Sequence, residues 1–203
     1  GRYSGGRHGS TNVILKKDCE LLSNLAKGHY PPVDFWRGIR VDYDFDEFLA
    51  LDSNKNATTQ GIYAFLNLEN EFKNLTNNNV INFSKGIQYD FHHIFPSKFL
   101  KNEYGKNSDE VDISDSILNK MILCNKNNLK ISAKSPSIYF PQISKDNPNL
   151  KSSLQSHCIP HIIVSENKIK FIDFLKSRYK LITAEINKIN NAKAKAIKAH
   201  ESI

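Results

Sequence analysis

Cysteine is scarce in this 203-residue chain, and the three present, Cys19, Cys124 and Cys158, are odd in number and far apart. No Cys-x-x-Cys pair occurs, so neither a disulfide scaffold nor a structural zinc knuckle is expected. Isolated cysteines of this kind behave as small buried hydrophobes and fit a reducing, cytoplasmic setting. Long apolar runs are missing as well. Mean hydropathy is −0.48, and no stretch approaches the ~18–20 apolar residues of a membrane helix. No membrane partner is expected. The opening Gly1-Arg2-Tyr3-Ser4-Gly5-Gly6-Arg7-His8 is polar, and no signal peptide is visible in it. Rich in Gly, Arg and Ser and lacking an initiator Met, it reads as the edge of a domain cut from a longer protein. Internal repeats and long low-complexity tracts are absent.

What remains is ordinary globular material. Hydrophobic residues make up 39%, and a chain of this length buries a core without cross-links. The 28 Lys and Arg against 21 Asp and Glu give a net charge of +7. A basic surface favours polyanions such as nucleic acid. Part of the excess lies in Lys193, Lys195 and Lys198, which a solvated helix face explains as well.

Apolar spacing predicts several helices. Residues 12–27 present Val13, Ile14, Leu15, Leu21, Leu22 and Leu25, with Gly28 as the stop. Pro31-Pro32 breaks the chain. Phe45, Phe48, Leu49 and Leu51 form a short helix with Asp44 as N-cap. Ile62 to Phe72 offers Ala64, Phe65, Leu66, Leu68 and Phe72 to a core, and Asn77-Asn78-Asn79 marks a turn. The texture then changes. Val80 to Phe95 mixes β-branched and aromatic residues and reads as extended. Residues 105–115 are polar and read as a loop, Lys120 to Cys124 as a short strand, and Asn127 to Ala133 as a helix start. Ser135-Pro136 opens another helix with Pro at its first position. From Ser165 to about His200, Phe171, Phe174, Leu175, Leu181, Ile182, Ile186 and Ile189 recur at three- and four-residue spacings. The parts expected are a helical N-terminal part over 1–79, a compact strand–loop–strand–helix unit over 80–140, and a helical part over 141–203, all in one compact domain.

His92-His93 carries the chemistry. Hydrolysing a phosphodiester requires deprotonating a water and neutralising the charge on the leaving oxygen. One imidazole can hold a metal while the other takes the proton, because the ordinary imidazole pKa lies near neutrality. Adjacent strand residues point to opposite faces, so both reach one pocket only at a bulge or strand end. Pro96, three residues on, suits such an ending. Taken alone, a His-His pair reads first as one packed and one solvated histidine, and Asn128 as a turn or cap residue. His157 and His161 are four apart, but Pro160 between them argues for a structural role. Trp36, Tyr139 and Phe140 read as core.

Asp90-Phe91-His92-His93-Ile94-Phe95-Pro96 resembles the first motif of HNH, or ββα-metal, nucleases. Asn119 and, nine residues on, Asn128 resemble the second and third. The run Asn128 to Ser137 is similar to the corresponding segment of GmrSD-like restriction proteins. Gly1 to Gly5, and Phe171-x-x-Phe174-Leu175-x-x-Arg178, resemble the helical parts around that nuclease. The resemblance implies a mainly α fold with an embedded small ββα-metal unit over 80–140. It implies a metal-dependent DNA endonuclease of bacterial restriction or anti-phage defence. His93 would be the general base, Asn119 would tie the loop and orient it, and His92 and Asn128 would hold one divalent ion, Mg²⁺, Mn²⁺ or Ni²⁺. Both of those ligands are neutral, which favours ions that accept imidazole. Lys98, Lys126, Lys130 and Lys134 are candidate phosphate contacts. The partners implied are DNA, a ParB-like nucleotide-hydrolysing N-terminal domain and, for double-strand breaks, a dimer. A catalytically silent DNA-binding or partner-interaction module of the same fold is the alternative.

Overall fold

The computed structural model describes residues 16, 19–21, 23–24, 26–29, 43–52, 56–83, 89–124, 131, 133–165 and 169–201. The chain divides into two units, residues 1–42 with 186–203, and residues 43–185. It is mainly helical, with a two-stranded sheet. Among the described residues no helix is long and apolar enough to cross a membrane.

In the first unit, the described residues between 16 and 26 are helical. Gly28 takes a φ of +82°, and the His29 amide donates to the Asn24 carbonyl at 2.9 Å. A left-handed residue that turns the chain back on the last helical carbonyls is the usual role of glycine at this place. Trp36, Pro31 and Pro32 lie outside the described residues.

The second unit begins with helix α1, Phe45–Leu49, and Asp44 caps it in a capping box with Glu47. Two first-turn amides are satisfied reciprocally. Helix α2 runs Ala57–Asn70, five residues earlier than Ile62, because the Asn56 side chain accepts from the Thr58 amide. Thr59, Ile62, Tyr63 and Leu66 are its buried residues, and their three- and four-residue spacing defines the inward face. That register turns Leu68 outward, where it is 78% exposed, and Ala64 is exposed too; both expectations of burial are corrected.

Strand β1, Tyr89–His93, pairs antiparallel with β2, Lys120–Cys124, with His92 opposite Met121 and His93 opposite Lys120. Between the strands lie α3, Ser97–Tyr104, and α4, Asp109–Asp112. Two single 3₁₀ turns follow, Ile113–Asp115 and Ile117–Asn119. The expected loop over 105–115 is therefore partly helical. Polarity alone misled there: short helices on a surface are rich in Asp and Ser at their first turns. Helix α5, Pro136–Asp146, starts with Pro in its first turn, as read from Ser135-Pro136. Helices α6, Leu150–Ser156, α7, Ile162–Ser165, and α8, Phe171–Glu201, complete the chain. Ser165 thus ends a helix of its own rather than opening the last one.

Ile94, Phe140, Phe171, Phe174 and Leu175 are fully buried. Phe95 meets Phe171 and Phe174 at centroid distances of 5.2 and 5.1 Å. A fully buried phenylalanine contributes about 1.5–3 kcal/mol by area, so this cluster anchors the segment after β1 to α8.

His157 is buried, lies flat on Phe72 at 4.6 Å and bonds through Nε2 to the Lys73 carbonyl at 2.9 Å. Burial lowers its pKa from 6.5 to about 4; the bond to Lys73 works the other way, and the Arg178 charge adds to the lowering. The folded state thus resists protonating a group that the unfolded chain protonates below 6.5. Stability is full above that pH and falls as pH drops toward 4, by about 3 kcal/mol at the end of the window. Urea unfolding across this range should show the decline, and His157→Gln should flatten it. Equal slopes in both proteins would remove His157 from the account.

Candidate active site

The sequence places two histidines at the end of β1, and Phe95 and Pro96 leave the strand immediately after them. A chain leaving a sheet exposes backbone amides and carbonyls that must find partners elsewhere. The Ile94 amide donates to the Asn119 carbonyl at 2.7 Å. The Ile94 carbonyl accepts from the Tyr139 hydroxyl at 2.7 Å. The Phe95 amide donates to Asn119 Oδ1 at 2.8 Å, and Asn119 Nδ2 donates back to the Phe95 carbonyl at 3.0 Å. All four polar groups of Ile94 and Phe95 are therefore satisfied without a strand. Asn119 Nδ2 also donates to the Ser114 carbonyl at 2.8 Å. Asparagine suits the position because one side chain carries both a donor and an acceptor. It is fully buried.

His93, the last residue of β1, donates through Nε2 to Asp115 Oδ1 at 2.9 Å. Lys120 Nζ stands 3.3 Å from the same oxygen and donates to the Asp52 carbonyl at 2.9 Å. Asp115 feels burial, which raises its pKa, but the hydrogen bonds from His93 and Lys120 outweigh it and hold the carboxyl below its ordinary range. It is an anion at neutral pH. Tyr63 donates to the Lys120 carbonyl at 2.7 Å, and burial pushes its hydroxyl up to about 12.

His92 is half-buried, and its Nε2 is buried without a hydrogen-bond partner among the described residues. Burial lowers its pKa, the neighbouring His93 lowers it further, and Asp90 opposes them. The ring is neutral at neutral pH, with a nitrogen unassigned to any protein group. An imidazole nitrogen of this kind suits a borderline divalent cation. Among the described residues no group of three or more His, Cys, Asp or Glu gathers as a metal cage.

The other expected residues are distributed. Asn128, Lys126 and Lys130 lie outside the described residues. Lys98 is exposed in the first turn of α3. Lys134 is exposed and donates to Gln142 Oε1 at 3.3 Å. His161 is exposed while His157 is packed in the core, so the two do not form a pair.

From the sequence, Arg178 entered only as the end of the late helical motif, and Asp115 and Lys120 were given no role. Arg178 is fully buried, donating to the carbonyls of Ile117, Leu118 and His157 at 3.3, 3.0 and 3.2 Å. Burial lowers its pKa. Its signal was present: it falls four residues after Phe174 and four before Ile182, on the apolar stripe of α8. Asp115 and Lys120 had no such signal. Asp115 is one of several acids in a polar stretch, and Lys120 opens a strand whose other residues look like core.

No family model matches the chain, and no solved structure matches it. An uncharacterized protein of Methanocaldococcus jannaschii is 30% identical over 149 residues, which is 70% of this chain and 23% of that protein. The chain spans under a quarter of the length of this relative.

Proposed function

We propose that the chain is an HNH-type, metal-dependent DNA endonuclease. The observation that carries the reading is the His92-His93 pair at a strand end, with Asn119 bracing the next turn through both sides of its amide. The resemblance at 90–96 and 119–137 supplies the reaction class. Under this reading 80–140 is a ββα-metal unit within the helical protein. The setting is bacterial restriction or anti-phage defence, with a ParB-like nucleotide-hydrolysing domain preceding it in the full-length protein.

In the mechanism, His93 takes a proton from a water beside the scissile phosphate. The hydroxide oxygen bonds to phosphorus, the bond from phosphorus to the 3′ oxygen breaks, and that oxygen is protonated from solvent. His92, through its unpartnered Nε2, and Asn128, by the resemblance, are the residues that would hold the divalent cation. When bound, it supplies neutralisation of charge on the phosphate and leaving oxygen. Asn119 keeps the turn after His93 rigid. Lys98 and Lys134, with Lys126 and Lys130, offer positive charge to the DNA backbone. One site cuts one strand, so double-strand breaks need two nicks or a dimer.

Supercoiled plasmid incubated with the protein and Mg²⁺, Mn²⁺ or Ni²⁺ should convert to the open-circular form, and chelation should stop it. Mn²⁺ and Ni²⁺ should outperform Mg²⁺, because both protein ligands are neutral and one is imidazole. Intact plasmid with all three ions, using both this chain and the full-length protein, would overturn the reading.

A further inference from the structure

We propose that Asp115 is the positioning residue of His93: its carboxylate accepts a hydrogen bond from the Nε2–H of the ring, which leaves Nδ1 as the atom that receives the proton of water. The inference rests on the nuclease reading for its catalytic half and on geometry alone for the rest.

A neutral imidazole has one donor nitrogen and one acceptor nitrogen, and the bond made by one decides the role of the other. His93 Nε2 lies 2.9 Å from Asp115 Oδ1. A carboxylate only accepts, so Nε2 must carry the hydrogen. Among the described residues this is the one hydrogen bond of the ring, which leaves the Nδ1 lone pair unclaimed. The side chain is 26% exposed, so water can reach it.

Asp115 is itself held. Lys120 Nζ stands 3.3 Å from the Oδ1 that meets His93, and Lys120 is 6% exposed with its ammonium also on the Asp52 carbonyl. Register places it there, because Lys120 is the cross-strand partner of His93. Asp115 ends a 3₁₀ turn, and Ser114 beside it accepts from Asn119. The same asparagine thus braces both the turn after His93 and the turn that carries its partner. A carboxylate behind a histidine base, orienting the ring and steadying the imidazolium that forms, is an arrangement that recurs on unrelated folds.

The test needs neither metal nor DNA for its first part. The ring nitrogens are read in ¹⁵N-labelled protein at about pH 8.5, some two units above the ordinary imidazole pKa. The His93 ring should show a hydrogen-bonded Nε2 proton, far downfield and slow to exchange, with Nδ1 unprotonated. Asp115→Ala should lose that signal. Asp115→Asn should keep it, since Lys120 holds an amide oxygen where the carboxylate oxygen was. In the plasmid assay, kcat should fall about 10–100-fold in Asp115→Ala with KM nearly unchanged, as expected for lost orientation rather than lost binding. Asp115→Asn should lie between. The Asp115 side chain is 61% exposed, so unchanged amide spectra away from the site will show that the fold survives. A ring proton on Nδ1, or an Nε2 signal indifferent to Asp115→Ala, overturns the proposal whatever the nicking rates. Equal kcat in wild type and Asp115→Ala overturns it as well. A wild type that shows the bonded Nε2 proton but cuts nothing fails the nuclease reading instead, while upholding the pairing, so the two failures are told apart.

Discussion

Replacing His93 by alanine is expected to abolish metal-dependent nicking, lowering kcat by about 10²–10⁴-fold, the usual range for loss of a positioned general base. The fold should be little affected. The His93 side chain is 26% exposed, and its hydrogen bond goes to a carboxylate that keeps Lys120 as a partner. The cost in stability should therefore stay within about 1 kcal/mol. Quantified conversion of supercoiled plasmid, beside thermal unfolding of both proteins, separates the two effects. Nicking that persists at the wild-type rate would take the base role from His93. A variant that loses its activity only because it has unfolded would show in the melting curve.

Asn119→Ala should produce the largest stability loss of any single change at the site. Its amide is the partner of the Phe95 amide, the Phe95 carbonyl and the Ser114 carbonyl. Phe95 and Ser114 are 3% and 4% exposed, so water cannot easily replace it. Each buried backbone group left without a partner costs about 1–3 kcal/mol, and three together, with partial relaxation, cost about 3–5 kcal/mol. Chemical denaturation should show a lower midpoint with a similar slope. Activity should fall even where the variant is still folded, because the turn next to His93 is no longer braced. Asn119→Asp tests the chemistry: its shape is nearly the same, yet it loses both donated bonds and buries a charge, so it should be no more stable than Asn119→Ala. A midpoint within a few tenths of wild type for either variant would show that the turn is held by packing alone.

Much of the fold was legible because local signals agreed. Asp44 as a cap, Lys120 to Cys124 as a strand and Ser135-Pro136 as a helix start each rest on one residue type doing one job within a few positions. Where the sequence reading went astray, the cause was a face or a boundary rather than the kind of element. Leu68 looks like core until Thr59, Ile62, Tyr63 and Leu66 define which side of α2 is inward. The 105–115 stretch looks like a loop because polar residues serve loops and short surface helices alike. The helix start expected over 127–133 lies largely outside the described residues.

The sequence by itself determined which chemistry is available: two adjacent histidines ahead of Ile94-Phe95-Pro96, and an asparagine whose amide can satisfy a departing chain. Those are properties of residue types and of short-range order. Only the tertiary structure decided what stands next to them. Asp115 lies 22 residues from His93 in the chain. Asp52 and Arg178 lie 68 and 60 residues from the places they bond, at Lys120 and Leu118. Contacts at such separations arise from packing of whole helices and from strand register, which no local pattern encodes. The physical reason is that a hydrogen bond needs its two atoms within about 3 Å, and only the folded core sets that distance between residues so far apart in the chain.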